Sequence, residues 1–198
     1  MALEIFKDKD LHIFDLGNVL YSVDARRTFA ALEALGMPHQ DVKVSNSHAA
    51  GGVFSLYCDG KVSTPEFYDG VRRECLIPEA SDDEIRSAWD SMLIGFRPDA
   101  LAAVRHLRQI GRKVALLSNC NDLHAQACRA QYPGPGRFDD LFDGVFFSHE
   151  IGMSKPDPRT WQLVLSQMGI EASRACFYDD SDVNVGAAIA LGIDSRVV

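Results

Sequence analysis

Four short stretches of this chain place chemically capable side chains where a predicted strand ends. In the first, IFDLGN, a run of apolar residues ends in Asp15 and a glycine-containing turn follows at once. The others carry Ser118, Lys155 and the pair Asp179-Asp180. In an α/β sheet, groups at the carboxyl ends of strands project into the crevice where ligands bind. Together they are the groups that phosphoryl transfer through an aspartate requires.

The pattern of apolar residues predicts five strands with helices between them. The strands are predicted at Leu11–Leu16, Lys113–Leu117, Gly144–Phe147, Ala175–Tyr178 and Ser195–Val198. The helices outside the long insert are predicted at Ala100–Ile110, Asp122–Gln131, Pro158–Met168 and Val183–Leu191, and a further helix is predicted near the start of the insert at Asp24–Leu35. Strands separated by helix-length segments favour an α/β fold with a doubly wound parallel sheet of the Rossmann-like type.

A helical block interrupts this alternation after the first strand. Two helix starts in it, STPE from Ser63 and SDDE from Ser81, have the spacing of a capping box. No strand is predicted within the block. We therefore expect an α/β core formed by residues 1–20 and 97–198, with residues 21–96 inserted as a helical cap over the carboxyl edge of the sheet.

Composition and charge limit the classes of function. The chain has 198 residues, of which 46% are hydrophobic and 24% charged, and this composition supports a globular core. Its formal net charge of -8 disfavours nucleic-acid binding, which depends on clustered Lys and Arg. The five cysteines form no CxxC pair and no metal-ligand spacing, so a reducing, cytoplasmic location is expected. Neither a signal peptide nor a membrane-spanning run is visible, so no membrane partner is expected, and the pattern gives no indication of oligomeric state.

Four motifs, taken in order, resemble those of the haloacid dehalogenase-like (HAD) superfamily. They are FDLGNVL around Asp15, ALLSN ending at Asn119, GMSKPD around Lys155 and FYDDSDVN around Asp180. The resemblance spans nearly the whole chain, and the helical insert stands where the superfamily carries its C1 cap. It implies a Mg²⁺-dependent phosphatase acting on a small phosphorylated metabolite. More narrowly, FDLGNV together with SNxNxLH and GMxKP resembles the α-D-glucose-1-phosphate phosphatase branch, which implies a sugar phosphate as substrate.

The resemblance and the chemistry of phosphate esters together suggest a role for each acidic residue. Asp15 would attack phosphorus and form an aspartyl-phosphate, which water then cleaves. Asp180 would hold Mg²⁺, and Asp179 would be a second metal ligand or would orient the site. In the family the backbone carbonyl of the residue at position 17, here Gly17, is also a metal ligand. Outside this context, Asp179 and Asp180 would also fit the N-cap and first turn of a helix.

Three further residues would handle the phosphoryl group. Lys155 would pair with phosphate and limit repulsion between it and Asp15. The Ser118 hydroxyl and the backbone N–H of Asn119 would hold phosphoryl oxygens, although Ser-Asn before a helix is also typical of helix capping. Asn184 would orient the metal site through its amide, or would be a first-turn helix residue without a role.

Gly17 departs from the pattern of most phosphatases in this superfamily, which carry an aspartate at this position. That aspartate protonates the leaving group and later activates water, and the loss of such a group typically costs about 10²–10⁴-fold in rate. We favour a leaving group that needs little protonation, such as an anomeric hydroxyl or an acyl phosphate. The alternatives are a proton from Asp24, His149 or His48, or a slow enzyme that accumulates its phospho-intermediate.

Two other functions compete with hydrolysis of a phosphomonoester. A haloacid dehalogenase would use Asp15 on carbon without a metal, but would have no need for the Asp179-Asp180 pair. A binding or regulatory module that keeps the fold with little turnover is permitted by Gly17. His124, in the SNxNxLH run, is a further residue that could face the site.

Overall fold

The computed structural model describes residues 5–6, 8–39 and 51–198. The strands of this part of the chain are β1 Leu11–Phe14, β2 Tyr21–Val23, β3 Leu93–Phe96, β4 Lys113–Ser118, β5 Gly144–Phe147, β6 Ala175–Asp179 and β7 Asp194–Val197. The helices are α1 Ala25–Ala34, α2 Gly52–Cys58, α3 Thr64–Glu74, α4 Asp82–Asp90, α5 Pro98–Gln109, α6 Asp122–Gln131, α7 Ser148–Ile151, α8 Pro158–Met168 and α9 Asp182–Ala190. Among these described segments, no helix has the length and apolar character needed to cross a membrane.

Five parallel strands form the central sheet in the order β5-β4-β1-β6-β7. Successive strands of this sheet therefore run outward from β1, first to one side and then to the other. Such a reversal creates a crevice at the carboxyl ends of the strands, here between β1 and β6. The predicted α/β, doubly wound architecture is confirmed, and all five predicted strands are present with ends within two residues of the prediction.

Alternation along the strands explains why the sheet is covered on both faces. Phe14 and Tyr178 pack into one apolar cluster, whereas their neighbours Ile13 and Phe177 pack into another. Successive side chains of a strand point to opposite faces, so each cluster fills the space between one face and its helices. All four are fully buried, which accounts for the nearly continuous apolar runs of the central strands.

The helices of the inserted block share an apolar cluster of their own. Aromatic rings dominate it, and the ring centroid of Trp89 lies 5.3 Å from that of Phe54 and 5.0 Å from that of Phe67. Both predicted capping boxes are present. The backbone N–H of Ser63 donates to the carboxylate of Glu66 at 2.7 Å, and an equivalent bond of 2.8 Å joins Ser81 to Glu84 at the start of α4.

A short antiparallel ribbon, β2–β3, differs from the sequence-based expectation of a wholly helical insert. Tyr21 pairs with Phe96 and Ser22 with Gly95, and the aromatic members pack against the cluster under the sheet. Strands of three and four residues are too short to show a period of two, and a glycine interrupts one of them. The ribbon joins the two ends of the helical block, and the division into a core and a cap stays a prediction.

Candidate active site

A buried lysine joins two aspartates at the carboxyl edge of the sheet. Nζ of Lys155 donates to Oδ1 of Asp15 at 2.7 Å and to Oδ2 of Asp179 at 2.5 Å. Asp15 follows β1 and Asp179 ends the neighbouring strand β6, so the parallel register itself brings the two carboxylates together. The three residues are 3%, 7% and 0% exposed, respectively, and buried charges of this kind persist only when they are paired.

Burial and neighbouring charges of opposite sign shift the pKa values of Asp15 and Lys155 in opposite directions. Burial raises the pKa of Asp15 to about 6, while the ammonium group of Lys155 acts to lower it. Burial acts to lower the pKa of Lys155, but Asp15 and Asp179 more than offset this, and the pKa lies above its ordinary value. Lys155 is therefore positively charged. Further positive charge near Asp15 would keep its carboxylate ionised.

Asp179 is held by donors on all sides. Its Oδ1 accepts from the backbone N–H of Ser181 at 2.9 Å and from Nδ2 of Asn184 at 3.0 Å. Nδ2 of Asn184 also lies 3.1 Å from Oδ2, the oxygen that binds Lys155. Both oxygens of Asp179 are thus engaged with protein donors, which fits an orienting role better than direct metal binding.

Three carboxylates lie close together at this edge of the sheet. Oxygen atoms of Asp15, Asp179 and Asp180 lie within 4.8 Å of one another. Asp180 is exposed, and its Oδ2 accepts from Nδ2 of Asn18 at 3.0 Å. A set of carboxylate oxygens, with room for water and phosphate on the open side, fits the preference of Mg²⁺ for hard oxygen ligands. Since Asp179 is engaged elsewhere, Asp15 and Asp180 are the residues that would hold the ion.

Ser118 and Asn119 stand at the end of β4, and the side chain of Asn119 makes a contact beyond the expected roles. Ser118 is 4% exposed and lines the same cavity as Asp15. The side chain of Asn119 is committed to the backbone of Lys155. Its Nδ2 donates to the Lys155 carbonyl at 2.8 Å, and its Oδ1 accepts from the Lys155 N–H at 2.8 Å. Sequence reasoning considered only the backbone of Asn119 and missed this contact, which joins residues 36 positions apart.

The turn after β1 is fixed by residues that the sequence analysis did not single out. Asn18 has a left-handed backbone with φ of 56°, a conformation that asparagine tolerates better than most residues. Its N–H donates to the carbonyl of Tyr21 at 2.7 Å, and Arg97 donates to the Asn18 carbonyl at 2.7 Å. Gly17 itself has no such conformational demand. A Cβ added there would meet Val23 at 3.7 Å and Asp15 at 3.8 Å, which is ordinary contact.

A cavity of about 360 Å³ opens beside these groups. Most of the residues predicted from the sequence line it: Asp15, Gly17, Ser118, Asn119, Lys155, Asp180 and Asn184. Asp179 does not line the cavity and acts through Lys155 and Asn184. The volume lies near the lower end of the range for small-molecule sites, about 300–1,000 Å³.

Two of the three proposed replacements for the missing acid, Asp24 and His149, do not line this cavity. Asp24 caps α1 and binds Arg26, and Nδ1 of His149 lies 2.6 Å from the carbonyl of Cys120. Neither residue is among those that line the cavity, and His48 lies outside the described residues. The additional residue that faces the site is His124, as the sequence suggested.

His124 is not equipped to supply a proton at neutral pH. Its Nδ1 accepts from Nδ2 of Asn121 at 3.1 Å, so Nε2 carries the hydrogen and donates to the carbonyl of Trp89 at 3.2 Å. Burial lowers the pKa of His124 to about 4, which keeps the ring neutral. Nε2 of His124 joins α6 to Trp89 of the inserted block, whereas Nδ1 bonds to Asn121 at the start of the same helix.

The chain matches the haloacid dehalogenase-like hydrolase family over residues 9–192. It belongs to that family. The predicted superfamily is thereby confirmed and the chain is a hydrolase of the HAD fold, whereas the narrower α-D-glucose-1-phosphate phosphatase branch stays a prediction.

Relatives that match more than nine-tenths of the chain include phosphatases. A D-ribitol-5-phosphate phosphatase of Bacteroides thetaiotaomicron is 26% identical over 92% of this chain and 88% of its own length. A sesquiterpene phosphatase of Aspergillus oryzae is 31% identical over 91% of this chain and 85% of its own length. A HAD-family enzyme of Bacteroides thetaiotaomicron, solved in complex with magnesium and inorganic phosphate, is 29% identical with a TM-score of 0.84. That match covers 96% of this chain and 93% of the other.

Proposed function

We propose that this chain is a Mg²⁺-dependent phosphatase that hydrolyses small phosphomonoesters through an aspartyl-phosphate on Asp15. The observation that carries the proposal is the contact of Lys155 with Asp15 and Asp179, next to the carboxylate of Asp180. Phosphatase activity in the two relatives and the magnesium and phosphate bound to the third support the same chemistry.

Hydrolysis would proceed in two displacements at phosphorus. A carboxylate oxygen of Asp15 forms a bond to phosphorus, and the ester oxygen leaves with the electron pair of the broken P–O bond. Water then attacks the phosphorus of the aspartyl-phosphate, releases inorganic phosphate and restores the carboxylate. Lys155 holds Asp15 in place and balances charge, while the Ser118 hydroxyl and the Asn119 N–H would hold phosphoryl oxygens. Mg²⁺, held by Asp15 and Asp180 with the carbonyl of Gly17, would neutralise charge on nucleophile and phosphate.

The leaving group must depart without much help from an acid. Besides the neutral His124, the hydroxyl and thiol groups that line the cavity include Tyr21 and Cys128, and burial raises the pKa of each to about 12. Such groups are weak acids. This supports substrates with readily departing oxygens, and α-D-glucose 1-phosphate is the sugar phosphate that the sequence resemblance predicts. The cytoplasmic location and the absence of nucleic-acid and membrane partners stay predictions from composition.

Release of inorganic phosphate tests the proposal. Purified protein would be assayed with acetyl phosphate, α-D-glucose 1-phosphate and glucose 6-phosphate, each with Mg²⁺ and with EDTA. We expect metal-dependent release that favours the acyl and anomeric phosphates. Asp15→Asn should abolish it, while Asp69→Asn, on the exposed surface of α3, serves as the matched control and should leave it intact.

Absence of turnover would point to the competing function. No release from any of these compounds by the folded protein, with Asp15→Asn indistinguishable from the natural sequence, would overturn the phosphatase proposal. It would favour the binding or regulatory module that Gly17 permits. Halide release from a 2-haloacid, insensitive to EDTA, would instead indicate the dehalogenase.

A further inference from the structure

The part of the cavity beyond the phosphate-handling residues presents an apolar wall. Its side chains come from the turn after β1, the β2–β3 ribbon with the residue that precedes β3, and the second half of α6. They are Leu16, Tyr21, Val23, Met92, Leu93 and Cys128. A leaving group attached to a phosphate beside Asp15 and Lys155 would lie against this surface.

The hydroxyl group of this wall is already engaged. The hydroxyl of Tyr21 donates to Oε1 of Gln131, at the end of α6. Tyr21 is fully buried as a residue, and its ring packs edge-on against Phe96 with centroids 4.8 Å apart. The hydroxyl is therefore not available to a ligand, and the ring packs behind the surface that a ligand would meet.

Two further polar side chains at the cavity are also engaged. Oδ1 of Asn121 accepts from the N–H of His124 at 3.0 Å and from Nε1 of Trp89 at 3.3 Å. Nδ2 of Asn121 donates to Nδ1 of His124, whose Nε2 donates in turn to Trp89. The hydrogen-bonding capacity of Asn121 and His124 is thus directed into the fold, away from a ligand.

The described residues of this wall carry no positive charge. Among the described residues that line the cavity, Lys155 is the one lysine or arginine, and it is committed to Asp15 and Asp179. A second phosphate or a carboxylate on the substrate would find no cation there. Hydroxyl groups of a polyol or a sugar that lie against these apolar side chains would likewise stay unpaired, which is costly when water is excluded.

We propose that the substrate is the phosphate monoester of a compact apolar alcohol or phenol. This inference rests on the proposed phosphatase function and narrows it. A phenol or an allylic alcohol combines an apolar body with an oxygen that departs readily, which also suits a site with Gly17 in place of the acid. Because the whole cavity measures about 360 Å³, the leaving group is small.

A pair of aryl phosphates tests this directly. 4-Propylphenyl phosphate and 4-(2-hydroxyethyl)phenyl phosphate have similar length and similarly acidic phenols, but differ by a methyl group against a hydroxyl at the far end. We expect kcat/KM to favour the propyl compound by roughly tenfold or more, in line with the selectivity of apolar pockets. The propyl compound should also be hydrolysed more efficiently than α-D-glucose 1-phosphate.

Variants of the wall link this preference to named residues. Met92→Gln, a change of similar size at a residue that is 3% exposed, should lower the preference for the propyl compound at least severalfold. Val23→Thr is a milder second variant with the same expected direction. Met168→Gln, in the last turn of α8 on the other side of the sheet, is the matched control and should leave the preference unchanged.

Four results would overturn the inference. Equal kcat/KM for the two aryl phosphates, or more efficient hydrolysis of α-D-glucose 1-phosphate, would reject the apolar leaving group while leaving the phosphatase function intact. A preference that survives both Met92→Gln and Val23→Thr would place the selectivity elsewhere. No release even from acetyl phosphate would reject the phosphatase function, and the inference with it.

Discussion

The side chain of Asn119 makes two hydrogen bonds of 2.8 Å to the backbone of Lys155, one to its N–H and one to its carbonyl. Asn119 follows β4, whereas Lys155 lies in the loop that follows β5 and α7. The amide therefore sets where the lysine backbone sits relative to the sheet. From there the Lys155 ammonium group reaches Asp15 and Asp179.

Asn119→Ala should slow catalysis through this contact. Loss of both hydrogen bonds frees the backbone of Lys155, and displacements of about 1 Å from the reacting geometry can cost on the order of 10²-fold in rate. We expect kcat for acetyl phosphate to fall roughly 10- to 100-fold on that basis, with a smaller change in KM. Steady-state kinetics would measure this, with a thermal unfolding scan to verify that the variant is folded. An unchanged kcat would show that the Lys155 ammonium group is positioned correctly without the Asn119 amide.

Gly17→Asp should restore acid–base help. The position has room for a Cβ and no left-handed backbone, so the substitution should fold without strain. A carboxyl group there would protonate poor leaving groups, and we expect hydrolysis of an alkyl phosphate to rise about 10²-fold or more relative to acetyl phosphate. Gly17→Asn, of similar shape but unable to exchange a proton at neutral pH, is the control. An equal gain in the asparagine variant would mean that shape, not proton transfer, is responsible.

Mg²⁺ should stabilise the fold through Asp15 and Asp180. A ligand that binds only the folded state adds about 2.7 kcal/mol to the free energy of unfolding at a concentration 100 times its Kd. Thermal unfolding with and without Mg²⁺ should show this gain in the natural sequence and its loss in Asp180→Asn. Asp182→Asn, an exposed position in the first turn of α9, should keep the gain. A gain that persists in Asp180→Asn would place the ion elsewhere.

Acid should destabilise the protein through two buried histidines. Burial lowers the pKa of His12 and that of His124 to about 4, so both are neutral when folded and become protonated on unfolding as the pH falls below about 6.5. The stability they provide is complete above pH 6.5 and is lost toward pH 4, by about 2 kcal/mol for each histidine at pH 5.

Urea unfolding at pH 7 and pH 5 measures this loss. His12→Gln should show a smaller difference between the two pH values than the natural sequence. His106→Gln, on the exposed side of α5, is the matched control and should keep the full difference. The same difference in the His12 variant and the natural sequence would contradict the assignment to His12.

Much of this architecture was predictable because it depends on local pattern. The parallel strands carry continuous apolar runs, and the capping boxes at Ser63 and Ser81 act within four residues of the chain. The grouping of the site residues was predictable for a similar reason, since the residues that follow the carboxyl ends of parallel strands lie at the same edge of the sheet. Asp15, Lys155 and Asp180 were placed together for that reason, and the structure gathers them around one cavity.

What escaped prediction depends on pairings between distant residues. The sequence around Asn119 looks the same whether its amide caps a helix or holds Lys155, and Asn121 turns out to cap α6. The β2–β3 ribbon exists because its two strands meet each other, and neither has a recognisable period alone. The neutrality of His124 depends on Trp89, which lies 35 positions away.

The β2–β3 ribbon also makes the inserted block modular. Tyr21 and Phe96 are paired across it, so the chain leaves the sheet and returns to it at neighbouring points. Paired residues of an antiparallel ribbon lie only about 5 Å apart, a gap that a hairpin turn can close. A change in the length of the block between these points need not alter the register of β1 and β6 or the placement of Asp15. Selection could therefore alter the covering of the cavity while the reacting groups stayed in place.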